Sequence, residues 1–457
     1  MRPLAASLSA KTRGETMKTW GHRTAADLGR DIETGRINPV ELTEYFLDAI
    51  ASHPLAPRIY ARSTETRARG EAMGAASRAK AGLRRHALDG VPLSWKDLFD
   101  TAGTATEAGS ALLRGRTPAK DALVLQTATL QGSVCLGKTH MSELAFSGLG
   151  LNPVTATPPC INDDQAVAGG SSSGAAISVA QGLAPAAIGS DTGGSVRIPA
   201  AWNDLVGLKT THGRLSLQGV VPLCESFDTV GGLARSVEDC AHLMALLEGR
   251  KSDPTPMPLT GLHFGVLETV ALDDLRPRPA RSFDDALTRL ARAGASITRF
   301  QAPEVTDAMA LAGFLFTAEA YAIWSATIES APGKMFPRIL ERFRSGATVK
   351  ATDYVAGWRN LRVLRRTYAE STARYDAVLI PTSPILPPNA HRLMTDPDYY
   401  VTENLLALRN ARIGNLMDQC VLTLPTSQPS CGLSIMCPPH HEERLLRLGL
   451  AAERALH

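Results

Sequence analysis

Apolar residues recur at helical spacing near the start of the chain. The pattern predicts two helices between Thr24 and Ala51. Thr24 is placed to cap AADLGRDIETG, which stops at Gly35, and Pro39 opens VELTEYFLDAIA. Residues 63–86 read as a polar helix rich in Ala and Arg. GVPLSWKDLFDTAG at 90–103 begins as a short apolar strand and breaks into a loop. Ala122–Gln131 reads as a helix and SVCLGKT at 133–139 as a strand. This helix-then-strand alternation predicts an α/β protein: a large mixed β-sheet core surrounded by helices.

Residues 166–235 mix Gly, Ser and Pro with apolar runs. AAISVAQGLAPAAIGSD suggests a small-residue helix and a short strand. VGLKTTHGRLS and GVVPL read as further buried strands, whereas NDDQAVA at 162–168 makes a poor one. A Gly/Ser segment with apolar runs on both sides is a core in which backbones approach closely, not a linker. A helix at Val237–Gly249 leads to SDPTPMP, the best linker candidate, then to the strand GLHFGVL. Residues 283–300 repeat helix-then-strand, 307–375 are largely helical, and Ala377–Pro381 is a strand. No repeat period is visible. We expect a flexible extension over residues 1–23 and a single domain over 24–457, with a helical insertion at about 307–375.

Composition narrows the class. The 457 residues are 44% hydrophobic and 20% charged, with net charge +3 and no basic run, so there is no electrostatic footprint for nucleic acid. No run of about 18 apolar residues occurs, which argues against a membrane span, and residues 1–16 lack the apolar core of a secretory signal. The seven cysteines are odd in number and contain no CxxC pair. They read as buried reduced thiols of a cytoplasmic protein.

Three segments carry candidate chemistry: Lys96 in PLSWKDLFD, GGSSSG at 169–174, and GSDTGGSVR at 189–197. GGSSSG matches the G-x-S-x-G elbow with Ser172 as nucleophile, but the expected strand before it is poor and no histidine stands out as partner. Asp191-Thr192-Gly193 is the aspartic-protease triplet without a second copy. Phosphate-cradling spacings are absent, and Ser77-Arg78-Ala79-Lys80 has no K-T-G companion. His440-His441-Glu442-Glu443 lacks metal-ligand spacing and reads as a polar helix start. What remains is a serine served by a lysine. A serine needs a base, and lysine can be one only when neutral, which burial favours. Lys96 follows the mostly apolar run Val91–Trp95. The N–H groups of Thr192, Gly193, Gly194 and Ser195 can converge into an oxyanion hole.

The strings G169-G-S-S-S-G174, G189-S-D-T-G-G-S-V-R-I-P-A-A201 and V206-G-L-K-T-T-H-G-R214 resemble the amidase signature family. Lys96 in GVPLSWKD, G137-K-T-H-M-S-E143 and V421-L-T-L-P425 resemble other segments of it. The resemblance implies a Ser–cis-Ser–Lys triad, with Ser195 as nucleophile, Ser171 as the bridging serine and Lys96 as terminal base. It assigns supporting positions to Ser172, Asp191 and Arg197. It also places Phe146 in an acyl-pocket segment, where a plain core aromatic is an equal reading. Ser173 stands where many members have Gly, and the segment 421–439 lacks a longer hairpin near the substrate entrance.

The implied activity is hydrolysis of a carboxamide or ureido-type amide through a serine acyl-enzyme, with no metal or organic cofactor. A glutamine-dependent amidotransferase A-type subunit is the alternative, and the intact Lys96, Ser171 and Ser195 argue against a non-catalytic paralogue. The expected partner is a small-molecule amide, not nucleic acid or a membrane. A homodimer and a small accessory subunit stay open.

Overall fold

In this computed structural model, residues 20–457 are described. Thirteen strands form among the described residues: β1 Tyr60–Ser63, β2 Pro92–Lys96, β3 Val134–Thr139, β4 Pro159–Cys160, β5 Asp163–Val167, β6 Ala186–Ser190, β7 Val206–Lys209, β8 Val230–Ala234, β9 His263–Leu267, β10 Ser296–Phe300, β11 Ala377–Pro381, β12 Cys420–Pro425 and β13 Gly432–Cys437. Eleven of them make one sheet in the order β1-β3-β2-β6-β8-β7-β12-β13-β11-β9-β10. β2 runs parallel to β3 and β6, and β9 runs parallel to β10 and β11. The strands between them pair antiparallel, so the sheet is mixed. The central strands β2, β6, β7 and β8 are buried along their whole length, as expected for strands covered on both faces.

Local sequence signals account for many of the helix ends. Thr24 Oγ1 accepts from Asp27 N at 3.0 Å and starts the helix Ala25–Glu33. Asn38 caps Pro39–Ser52 by accepting from Val40 N at 2.9 Å. Ser236 caps Val237–Glu248, which ends on Gly249 in the left-handed region at φ 70°. The small-residue helix Ser173–Ala180 packs where backbones nearly touch: a Cβ on Gly174 would stand 2.4 Å from the Ile59 carbonyl oxygen.

Several expectations need correction. The strand Tyr60–Ser63 lies where a helix was expected to begin, and that helix occupies Glu65–Lys80. NDDQAVA does supply a strand, β5, but it pairs with β4 in a separate two-stranded sheet. GVVPL is not a strand; only Val220 bridges, to Phe99. The segment 251–258 carries no regular structure, yet one sheet takes strands from both sides of it. Of the segment 1–23 expected as an extension, only residues 20–23 are described. Trp20 is buried and meets Tyr45 edge-to-face at 5.5 Å, while residues 1–19 lie outside the described residues.

Between β10 and β11 lie the helices Pro303–Ser330, Pro337–Arg344 and Ala351–Thr372. Pro303–Ser330 is long and apolar enough, by length and composition alone, to cross a bilayer; its mean hydropathy reaches 1.3 over 18 residues. The sequence expectation missed this because polar residues interrupt every apolar run. In the fold the helix packs on Ala351–Thr372 and buries Leu315, Phe316, Ala320, Trp324 and Ile328. Its Glu319 accepts from Ser226 N at 2.8 Å and from the Tyr354 hydroxyl at 3.0 Å.

Candidate active site

Two strand ends, one loop and one helix start converge. Lys96 ends β2, Ser190 ends the neighbouring strand β6, and the loop 191–196 follows directly. Ser171 precedes the helix Ser173–Ala180, and its peptide bond with Gly170 is cis. Lys96 is fully buried. Its Nζ lies 2.6 Å from Ser171 Oγ and 2.8 Å from Ser190 Oγ. Burial lowers its pKa to about 7, against the opposing pull of Asp191 and Asp228.

Two other lysines are buried, and their surroundings set them apart. Lys138 donates to Asp97 at 3.2 Å and to Thr106 Oγ1 at 2.9 Å. Lys209 donates to the carbonyls of Thr210 and Gln419, both at 2.8 Å. Neither has a serine hydroxyl as partner; Lys96 has two.

Ser195 begins the turn into the helix Arg197–Trp202. Its carbonyl accepts from Ser172 N at 3.2 Å, which ties the two serine segments together. Ser172 Oγ donates to the Ser190 carbonyl at 3.3 Å, so it braces the backbone rather than facing a base. No hydrogen bond joins Ser171 Oγ to Ser195 Oγ here; such contacts often tighten only when substrate is bound.

Asp191 shapes the loop. Its carboxylate accepts from Gly194 N at 2.8 Å, Val196 N at 3.0 Å, and Arg197 Nε and Nη2 at 3.0 and 2.9 Å. Burial pushes this carboxyl up, but the Arg197 guanidinium outweighs it and holds the group well below the usual carboxylate range. Arg197 also bonds Asn415 Oδ1 at 2.6 Å. The Gly194 N–H is thus already committed to Asp191, which corrects its expected place among the free donors. The N–H groups of Thr192, Gly193 and Ser195 have no partner among the described residues. Thr192 Oγ1 donates to Asp228 at 2.5 Å, and Asp228 also accepts from Leu223 N and Cys224 N. Burial raises the Asp228 pKa to about 6.

A small pocket opens on Ser195, Thr192 and Gly193, walled by Phe146, Phe316 and Leu408. Phe146 is buried against Phe343, with centroids 4.7 Å apart, and it also lines this pocket. The pocket also holds Arg342 and Arg412, which sequence reasoning missed because arginines on polar helices look like solvated surface. Ser190 and Asp228 were missed as well, although Ser190 sits inside the glycine-rich string. His440 precedes and His441 caps the helix Glu442–Leu456, and Glu442 and Glu443 in its first turn both pair with Arg214. Among the described residues, no group of three or more His, Cys, Asp or Glu is arranged to hold a metal. All seven cysteines are free and buried.

A family model described as Amidase matches residues 41–446. The 2-amino-5-chloromuconic acid deaminase of Comamonas testosteroni is 36% identical over 94% of this chain and 96% of its own. The A-type subunit of the glutamyl-tRNA(Gln) amidotransferase from Marinobacter nauticus is 32% identical over 78% of this chain and 77% of its own. A solved structure described as an amidase superposes with a TM-score of 0.85 at 28% identity, covering 95% of this chain and all of the other.

Proposed function

The chain belongs to the amidase signature family and is a C–N hydrolase acting on amides, and on that premise we propose that Ser195, Ser171 and Lys96 carry its chemistry. The observation that supports this most is the contact of the buried, pKa-lowered Lys96 amine with Ser171 Oγ at 2.6 Å, beside the Ser195 loop. Neutral Lys96 takes a proton from Ser171, which takes one from Ser195. Ser195 Oγ attacks the amide carbonyl. The N–H groups of Thr192, Gly193 and Ser195 hold the oxyanion, with Gly194 fixing the loop through Asp191. The proton returns to the leaving nitrogen as ammonia or amine departs. Water then opens the acyl-enzyme by the same relay, restoring Ser195.

In this reading Ser172, Asp191 and Arg197 support the site, Phe146 lines the acyl pocket, and residues 24–457 act as one amidase unit. A cytoplasmic setting fits the seven free cysteines.

Ammonia release from a panel of amides, with Ser195→Ala and Ser172→Ala beside the native enzyme, tests the assignment. Ser195→Ala should lose at least about a thousandfold in kcat. Near-native turnover by Ser195→Ala, with loss in Ser172→Ala, would overturn it. The 32%-identical amidotransferase chain supports a second reading, glutamine hydrolysis coupled to partner chains. Glutaminase activity that appears only with a copurifying partner would favour it.

A further inference from the structure

Arg342 and Arg412 are two charges at the candidate site that the proposed chemistry does not use. Arg342 lies on the helix Pro337–Arg344 and Arg412 on Pro397–Leu416, and both line the pocket that holds Ser195. Arg342 donates one hydrogen bond, to the Phe146 carbonyl at 2.9 Å, and its guanidinium lies 4.3 Å from the centre of the Phe146 ring. Arg412 makes no hydrogen bond to the described residues; its guanidinium lies 5.7 Å from the Phe316 ring centre. Its Nε stands 3.9 Å from the point a Gly193 Cβ would occupy, beside the proposed oxyanion donors.

Neither guanidinium forms an ion pair with a carboxylate among the described residues. Several other partly buried arginines in this fold do: Arg197 with Asp191, Arg214 with Glu248, Glu442 and Glu443, and Arg62 with Asp97 and Glu107. Two like charges in an apolar, partly buried pocket are unfavourable without a counter-ion. Burial lowers Arg412 to about 9, with Arg342 adding its repulsion, and lowers Arg342 to about 10. An anion that brings planar paired acceptors relieves this, and a carboxylate matches a guanidinium edge for edge.

We propose that Arg342 and Arg412 form a carboxylate-binding subsite, so that the amide cleaved at Ser195 bears a free carboxylate on its acyl part. The inference rests on Ser195 being the nucleophile. Arg412 stands beside Gly193, so the carboxylate sits close to the reacting carbonyl and the acyl part is short. The aromatic walls exclude water and favour an apolar or unsaturated chain between the two ends.

The test uses the whole enzyme and the aliphatic dicarboxylic half-amides from malonamic to adipamic acid, each beside its methyl ester. One or more free acids should exceed the ester in kcat/KM by about ten- to hundredfold, the range of a charge-assisted hydrogen bond. Arg412→Met and Arg342→Met should each erase most of that ratio through KM, and Arg412→Lys should keep part of it. Labelling of Ser195 by a fluorophosphonate checks folding and the nucleophile independently of substrate charge. The matching dicarboxylate should slow that labelling, and monocarboxylates should do so less. If Ser195 is not labelled, the catalytic reading itself fails. If Ser195 is labelled but esters match the acids throughout and no dicarboxylate protects, the carboxylate subsite is overturned.

Discussion

Ser190 Oγ lies 2.8 Å from Lys96 Nζ, so the amine is held between two hydroxyls with Ser171 on its other contact. Asp191 and Asp228 reach it only through space, and burial outweighs both. The arrangement keeps a lysine in place without a carboxylate to fix its proton. The amine can therefore be neutral near pH 7, which a base must be.

Activity should follow that proton. The neutral form is the working one, so kcat/KM should rise with pH through about 7 and then level off. The folded chain holds this proton only up to about pH 7, the unfolded chain up to about 10.5. The unfolded state binds more protons across that window, so this group's contribution to stability rises with pH there. Lys96→Ala should lose about 10²- to 10⁴-fold in kcat. A flat pH profile, with near-native rate in Lys96→Ala, would make the lysine structural.

Ser190→Ala removes one of the two hydroxyls that hold Lys96. The loss should appear in kcat, roughly tenfold for one hydrogen bond of positioning, with KM little changed. Its hydroxyl can accept from the ammonium, so its removal disfavours the charged form. The rising limb of the pH profile should shift to lower pH. An unchanged limb would mean that Ser190 does not touch the working lysine.

How far these relations were legible in sequence differs from residue to residue. Lys96 and the loop ending at Ser195 stood out because a glycine-rich string marks close backbone approach and leaves few chemical uses, whereas Ser171 was named only through the resemblance to the amidase signature family. Thr24 announces its helix start through a local side-chain bond, which short-range sequence carries. Tyr60–Ser63 was missed because an edge strand of four residues has too few positions to show alternation. GVVPL was apolar without being a strand, since Val221 and Leu223 are buried by packing rather than by pairing. Arg342 and Arg412 lie 70 positions apart, and only the fold brings their side chains to one pocket.

Asp191→Asn should damage the fold before it damages chemistry. The carboxylate accepts two loop N–H groups and two N–H groups of the fully buried Arg197. Removing its charge leaves the guanidinium buried and unpaired, a loss of about 3–5 kcal/mol. Chemical denaturation reads this directly. The Asp191 pKa is depressed in the fold, so its contribution is complete above the ordinary aspartate value and falls only in acid below about pH 4. A variant as stable as the native chain at pH 7 would show that the pair is not holding the loop.

The two loop glycines should respond differently to a single methyl group. Gly194 adopts φ 123°, which L side chains rarely reach, and a Cβ there would stand 2.6 Å from Ala411 Cβ and 2.7 Å from Ile198 Cδ1. Gly194→Ala must therefore move the loop or the helix Pro397–Leu416 behind it, at a strain of about 1–3 kcal/mol. Displacing Gly194 also strains its bond to Asp191, so Ser195 and the free N–H groups leave their places together, and kcat should fall steeply. Gly193 has no such obstacle: the nearest atoms to its Cβ would be Arg412 Nε at 3.9 Å and Leu408 Cδ2 at 4.0 Å. Gly193→Ala should keep native stability while its methyl group intrudes on the pocket, raising KM more than it lowers kcat. Thermal unfolding and steady-state kinetics on both variants separate the cases. Equal loss of stability in the two would mean that the loop tolerates no Cβ at all, and that the space over Gly193 is not where substrate enters.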